Sequence, residues 1–130
     1  MKKKILVVED DKKIVMALQV RLQAAGYEVA VAYDAALAMS RAVEHHPDLV
    51  LLDISLPGGT GFIVAERLQD STDTVGVPMI FLTASKQPGL RQKAKELGAA
   101  GFFEKPYKAE EILGAIQKAL SESESRCGYL

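Results

Sequence analysis

The chain has 130 residues, 48% of them hydrophobic and 25% charged, and its 16 basic and 17 acidic residues give a formal net charge of −1. This length predicts one domain with a single core, and the balanced charge gives no reason to expect direct binding of nucleic acid or of an anionic membrane. The lone Cys127 excludes an internal disulfide, and the apolar runs are too short for a signal peptide or a spanning helix, so a cytoplasmic protein is predicted.

Five short apolar runs along the chain predict β-strands. Residues 5–8, 49–52 and 79–82 are apolar throughout, which is typical of strands that are covered on both faces. Residues 27–32 are less uniform and residues 101–103 form a shorter run, which suits positions at or near the edges of a sheet.

Helical patterns lie between these runs. Apolar residues recur at helical spacing between residues 14 and 25, which predicts a first helix. Gly26 is predicted to end this helix, because glycine readily adopts the left-handed conformation that follows many helices. Asp34 is a predicted N-cap for a second helix over residues 35–45. Three further helices are marked by Phe62, Ala65 and Leu68, by Leu90, Ala94 and Leu97, and by Ile112, Ile116 and Leu120.

The alternation of strands and helices predicts an α/β fold, a doubly wound (βα)5 domain. Strands that are joined by helices of this length pair in parallel, and right-handed crossovers place the helices on both faces of a five-stranded parallel sheet. Residues 1–121 are predicted to form the domain. Residues 122–130, at the end of a Ser-Glu repeat, are predicted to form a polar C-terminal tail or the start of a linker.

Polar side chains follow the carboxyl ends of four predicted strands, where ligands bind in open parallel sheets. They are Glu9, Asp10 and Asp11 after the first strand, Asp53 after the third, Thr83 after the fourth, and Lys105 after the fifth. Clustered carboxylates repel one another, and a hard divalent cation such as Mg²⁺ relieves that repulsion. A carboxylate can also act as the nucleophile in phosphoryl transfer and form an aspartyl phosphate. Asp11 is expected to cap the next helix, whereas the set as a whole indicates a site.

The motifs, taken in order and spacing, resemble the receiver domain of bacterial response regulators, of the chemotaxis-regulator type. The resemblance covers residues 3–120 and depends on the strand leading into Glu9-Asp10 and on residues 51–58, 82–84 and 98–106. It implies a flavodoxin-like three-layer sandwich with strand order 2-1-3-4-5.

The resemblance also implies roles for individual residues. Asp53 would be the phosphoacceptor, taking its phosphoryl group from the phosphohistidine of a sensor histidine kinase or a histidine phosphotransfer protein. Mg²⁺ would be held by Glu9, Asp10, Asp53 and the backbone carbonyl of Ser55. Lys105 would pair with the phosphoryl oxygens.

A switch is implied as well. Thr83 would move towards the phosphoryl group and Phe102 would turn inward, which repacks the face formed by the fourth helix, the fifth strand and the fifth helix. A downstream effector, an output domain or a second copy in a homodimer would dock on that face. Phe102 stands where many relatives have tyrosine, so no hydroxyl can hold its inward state. The Lys105–Pro106 peptide bond would be cis.

Other functions are compatible with the same fold. A phosphorylation-independent adaptor would not need the acidic pair, Asp53, Thr83 and Lys105 together. A flavodoxin-like electron carrier needs a phosphate-binding loop after the first strand, where the acidic residues 9–11 would instead repel a flavin phosphate. A phosphohydrolase of the nucleophilic-aspartate type would usually carry a D-x-D motif there. The sequence leaves open whether the chain acts alone or belongs to a longer regulator.

Overall fold

The computed structural model describes residues 2–127, with side chains described for residues 2–124. Five parallel strands alternate with five helices in this part of the chain. Their bounds are β1 (Lys4–Val8), α1 (Lys12–Ala24), β2 (Glu28–Ala32), α2 (Ala35–His45), β3 (Leu49–Asp53), α3 (Gly61–Asp70), β4 (Met79–Thr83), α4 (Leu90–Glu96), β5 (Gly101–Glu104) and α5 (Ala109–Cys127). Among residues 2–127, no helix is long and apolar enough to cross a membrane.

The strands form one parallel sheet in the order β2-β1-β3-β4-β5, which confirms the predicted (βα)5 topology and strand order. Alternate residues of each strand point to opposite faces, so a strand that is buried on both faces must be apolar throughout. Leu6 and Phe81 pack with α2, α3 and α4 on one face. Ile5 and Leu82 pack with α1 and α5 on the other, which completes a three-layer sandwich.

Local sequence signals set most of the helix ends. The Asp34 side chain accepts a hydrogen bond of 2.8 Å from the backbone N–H of Leu37, so it caps α2 as predicted. Gly26 follows α1 with a φ of 96°, a left-handed conformation that glycine adopts without steric cost. Between β3 and α3, the two-residue strands Ser55–Leu56 and Gly59–Thr60 form a small hairpin that the sequence patterns did not reveal.

The last helix is longer than the sequence patterns indicated. α5 continues to Cys127, through the Ser-Glu segment and past the predicted domain end at residue 121. An ion pair of 2.8 Å between Lys3 Nζ and Glu124 Oε1 connects this extension to the segment before β1. The side chain of Cys127 lies outside the described residues, and the boundary between domain and tail stays a prediction.

We expect the Asp34→Ala substitution to lower the free energy of unfolding by about 1 kcal/mol, because the Leu37 N–H would lose its capping partner. Urea unfolding followed by circular dichroism measures this change. Asp73→Ala is the matched control, since the exposed Asp73 carboxylate accepts no hydrogen bond from residues 2–127. Equal losses in the two variants would contradict a capping role for Asp34.

Candidate active site

Four polar residues meet where β1, β3, β4 and β5 leave the core. Glu9 and Thr83 are fully buried and Asp53 is 4% exposed. Asp53 and Thr83 are the last residues of β3 and β4, and Lys105 directly follows β5. The structure therefore brings together side chains that the sequence placed at four separate strand ends.

One ammonium group links the two buried carboxylates. Lys105 Nζ lies 2.7 Å from Glu9 Oε1 and 3.0 Å from Asp53 Oδ2. Buried carboxylates are costly unless they are paired and hydrogen-bonded, and Lys105 meets both conditions for Asp53 and Glu9. The pairing of Lys105 with Glu9 was not predicted, because 96 positions of sequence separate the two residues.

Backbone N–H groups hold the remaining oxygens of the site. Asp53 Oδ1 accepts a 3.0 Å hydrogen bond from Ser55 N, so both oxygens of this carboxylate are held in place. Thr83 Oγ1 accepts a 3.0 Å hydrogen bond from Ser85 N, which leaves the hydroxyl proton of Thr83 as a possible donor. These contacts orient the nucleophile candidate and the hydroxyl before any ligand arrives.

The site has more negative charge than its single ammonium group neutralises. Burial raises the pKa of Glu9 to about 8, and the neighbouring Asp53 adds to this rise while Lys105 opposes it. Burial lowers the pKa of Lys105, but its hydrogen bonds with Glu9 and Asp53 outweigh burial and leave the pKa raised. A second positive charge at this position would stabilise the ionised carboxylates.

The donor set fits a divalent cation. Glu9, Asp10 and Asp53 each offer a carboxylate oxygen, and these oxygens lie within 4.8 Å of one another. These three residues form the carboxylate cluster. Asp10 is exposed, so the cluster opens to solvent on one side. Hard oxygen ligands together with access for water are what Mg²⁺ requires. The residues present are therefore compatible with Mg²⁺.

Asp11 serves the fold instead of the cluster. Its carboxylate accepts hydrogen bonds of 2.9 Å from Lys13 N and 3.3 Å from Ile14 N, which caps α1 and confirms the predicted capping role. Of the three acidic residues after β1, Glu9 and Asp10 thus belong to the carboxylate cluster, whereas Asp11 caps the helix.

Phe102 lies outside the carboxylate cluster. Its ring is half-buried on β5, and the guanidinium carbon of Arg91 lies 4.7 Å from the ring centroid. Phe103 packs on the opposite face of the sheet, against the α1 and α5 side of the core. The Lys105–Pro106 peptide bond is cis. The contact of Arg91 with Phe102 had no signal in the sequence, since cation–π pairs leave no spacing pattern.

Comparisons with known proteins identify the family of the chain. The family model of the response regulator receiver domain matches residues 5–117. The chain is 33% identical over 121 residues to the DNA-binding dual master transcriptional regulator RpaA of Synechocystis, and the match covers 93% of this chain and 50% of RpaA. The chain therefore spans about half the length of that relative.

Solved structures share the whole architecture. A CheY-like response regulator receiver domain protein from Methanospirillum hungatei has a TM-score of 0.88 and 28% identity, over 97% of this chain and 99% of that one. The receiver domain of a sensor histidine kinase from Pseudomonas aeruginosa, solved with a magnesium ion coordinated in its active site cleft, has a TM-score of 0.84 and 26% identity, over 93% of this chain and 99% of that one. Because the family model, the strand order and these structures all agree, the chain belongs to the response regulator receiver domain family.

Proposed function

We propose that this chain is the phosphoacceptor receiver domain of a two-component response regulator, and that Asp53 accepts the phosphoryl group. The observation that carries the proposal is the environment of the Asp53 carboxylate. It is buried, held at both oxygens, and in contact with the Lys105 ammonium group. In a solvent-shielded position, a fixed carboxylate needs little reorganisation to attack phosphorus, which is the main requirement for phosphoryl transfer.

The neighbouring side chains have complementary roles in this proposal. An Asp53 oxygen forms a bond to phosphorus as the bond between phosphorus and the histidine nitrogen of the donor breaks, and the electron pair of that bond leaves with the imidazole. Lys105 exchanges its contacts with the carboxylates for contacts with phosphoryl oxygens. The Thr83 hydroxyl, whose oxygen already accepts a hydrogen bond from Ser85 N, donates a hydrogen bond to a phosphoryl oxygen. Glu9, Asp10, Asp53 and the Ser55 carbonyl hold Mg²⁺, which when bound supplies charge neutralisation for the carboxylates and the incoming phosphoryl group.

The proposal extends to partners and output, and family membership supports this extension. The donor is the phosphohistidine of a sensor histidine kinase or of a phosphotransfer protein, and the chain acts as a signalling switch in the cytoplasm. Thr83 and Phe102 transmit the change to the face of α4, β5 and α5, where an effector, an output domain or a second copy docks. The negative charge that the phosphoryl group adds at Asp53 shifts the face of α4, β5 and α5 from one packing arrangement to another.

Chelation of the metal is expected to abolish phosphorylation. The 130-residue chain, incubated with acetyl phosphate and Mg²⁺, should gain a single labile phosphate, detected as one adduct by intact mass spectrometry. The same mixture with excess EDTA should give none, because the carboxylates of the site then repel the phosphoryl group. An adduct that forms equally well in EDTA would contradict the metal role. No adduct under any condition would favour a phosphorylation-independent adaptor.

A further inference from the structure

A cleft of about 640 Å³ opens beside the carboxylate site, between the hairpin after β3 and the start of α4. Asp10, Ser55 and Ser85 line it on the side of the site. Asp10 belongs to the carboxylate cluster, and the two serines each lie two residues after a site residue, Asp53 or Thr83. Phe62 and Leu90 give the cleft apolar walls. Its volume is much larger than a phosphoryl group needs, so a further part of a phosphodonor can enter.

Lys93 supplies the positive charge of this cleft. Its ammonium nitrogen lies 4.9 Å from the centroid of the Phe62 ring, and no other described residue that lines the cleft is a cation. Lys93 forms no ion pair with a carboxylate of residues 2–124, whereas Lys105 is engaged by Glu9 and Asp53. The cation on the wall therefore has no anionic partner until a ligand brings one.

We propose that Lys93 determines specificity among small phosphodonors, by favouring donors whose leaving group is an anion held in this cleft. The inference depends on the proposed role of Asp53. In transfer from acetyl phosphate, an Asp53 oxygen forms a bond to phosphorus as the bond between phosphorus and the bridging oxygen breaks. The electron pair of that bond departs with the bridging oxygen, and the leaving group is acetate, which carries one negative charge.

Phosphoramidate gives the contrasting case. The same bond to Asp53 forms, but the bond between phosphorus and its protonated nitrogen breaks and the leaving group is neutral ammonia. Only acetate develops a charge that the Lys93 ammonium can stabilise. Because Lys93 is exposed, solvent and salt weaken this interaction, and the effect is a change of a few fold in rate.

The test compares phosphorylation rates from acetyl phosphate and from phosphoramidate, at equal Mg²⁺ and low ionic strength. We expect Lys93→Met to reduce the acetyl phosphate rate by about two- to fivefold and to change the phosphoramidate rate little. Methionine keeps an apolar contact with Phe62 while it removes the charge. Lys95→Met is the matched control, because it removes the same charge from the same helix outside the cleft lining.

Three outcomes separate the possibilities. A lower acetyl phosphate to phosphoramidate ratio in Lys93→Met, together with an unchanged ratio in Lys95→Met, supports the inference. An unchanged ratio in Lys93→Met, or equal changes in the two variants, overturns it while the role of Asp53 stands. A wild-type protein that takes phosphate from neither donor overturns the proposed function and this inference together. In wild type, added NaCl should also move the ratio towards that of Lys93→Met.

Discussion

The Asp53→Asn variant is expected to form no phosphate adduct with acetyl phosphate and Mg²⁺. The amide oxygen of asparagine can still accept the hydrogen bond from Ser55 N, so the shape of the site is largely retained. The amide is not a nucleophile, and the cluster with Glu9 and Asp10 loses one of its three carboxylates. Of the two carboxylates that remain, Glu9 is fully buried against Lys105, and neither occupies the position of Asp53 at the end of β3.

The control for Asp53→Asn is Asp73→Asn, which makes the same chemical change at an exposed position. It should form the adduct at the wild-type rate. Asp53→Asn should remain folded, because Lys105 keeps Glu9 as a partner after the carboxylate of Asp53 is removed. A folded Asp53→Asn variant that still gains phosphate at the wild-type rate would contradict the assignment of Asp53.

The Gly61→Ala substitution is expected to lower the free energy of unfolding by about 3 kcal/mol. A Cβ atom at position 61 would lie 2.2 Å from the carbonyl oxygen of Asp53 and 3.0 Å from its carbonyl carbon. Gly61 N also donates a 2.7 Å hydrogen bond to the carbonyl oxygen of Ile54, so the two segments are joined backbone to backbone. Asp53 ends a central strand of the sheet and cannot move aside without disturbing its pairing with β4.

Gly114→Ala is the matched control for this prediction. Gly114 lies within α5, and a Cβ there meets no described atom within 4 Å beyond its own neighbourhood in the helix. Alanine should therefore raise the free energy of unfolding by about 0.5–1 kcal/mol, since glycine is the weaker helix former. Urea unfolding of both variants should show opposite shifts from wild type. A Gly61→Ala variant as stable as wild type would contradict the close packing of α3 on the backbone of Asp53.

The sequence predicted those parts of the fold that depend on local signals. The second helix was expected over residues 35–45, and α2 has these bounds because Asp34 caps one end. The carboxyl ends of the strands were predicted to within one residue, since the apolar runs stop directly before the buried Asp53 and Thr83 that end β3 and β4. The candidate site followed from these ends, because the polar residues of β1, β3, β4 and β5 share one edge of a parallel sheet.

Features that depend on tertiary contacts were beyond the sequence patterns. The hairpin of residues 55–60 has strands of two residues, too short for any periodicity. The extension of α5 to Cys127 runs through a Ser-Glu segment whose composition alone favours a solvated tail. The contact of Lys93 with Phe62 joins α4 to α3 through side chains, which no spacing rule connects.

Chemical trapping of the phosphorylated residue tests the central claim most directly. Sodium borohydride reduces an aspartyl phosphate to homoserine, so the protein is treated with acetyl phosphate and Mg²⁺, reduced, digested and mapped by mass spectrometry. Homoserine is expected at position 53 only, and none is expected in a sample that received EDTA before the donor. Homoserine at Asp10 or at another carboxylate, with position 53 unchanged, would contradict the assignment of Asp53 as the phosphoacceptor.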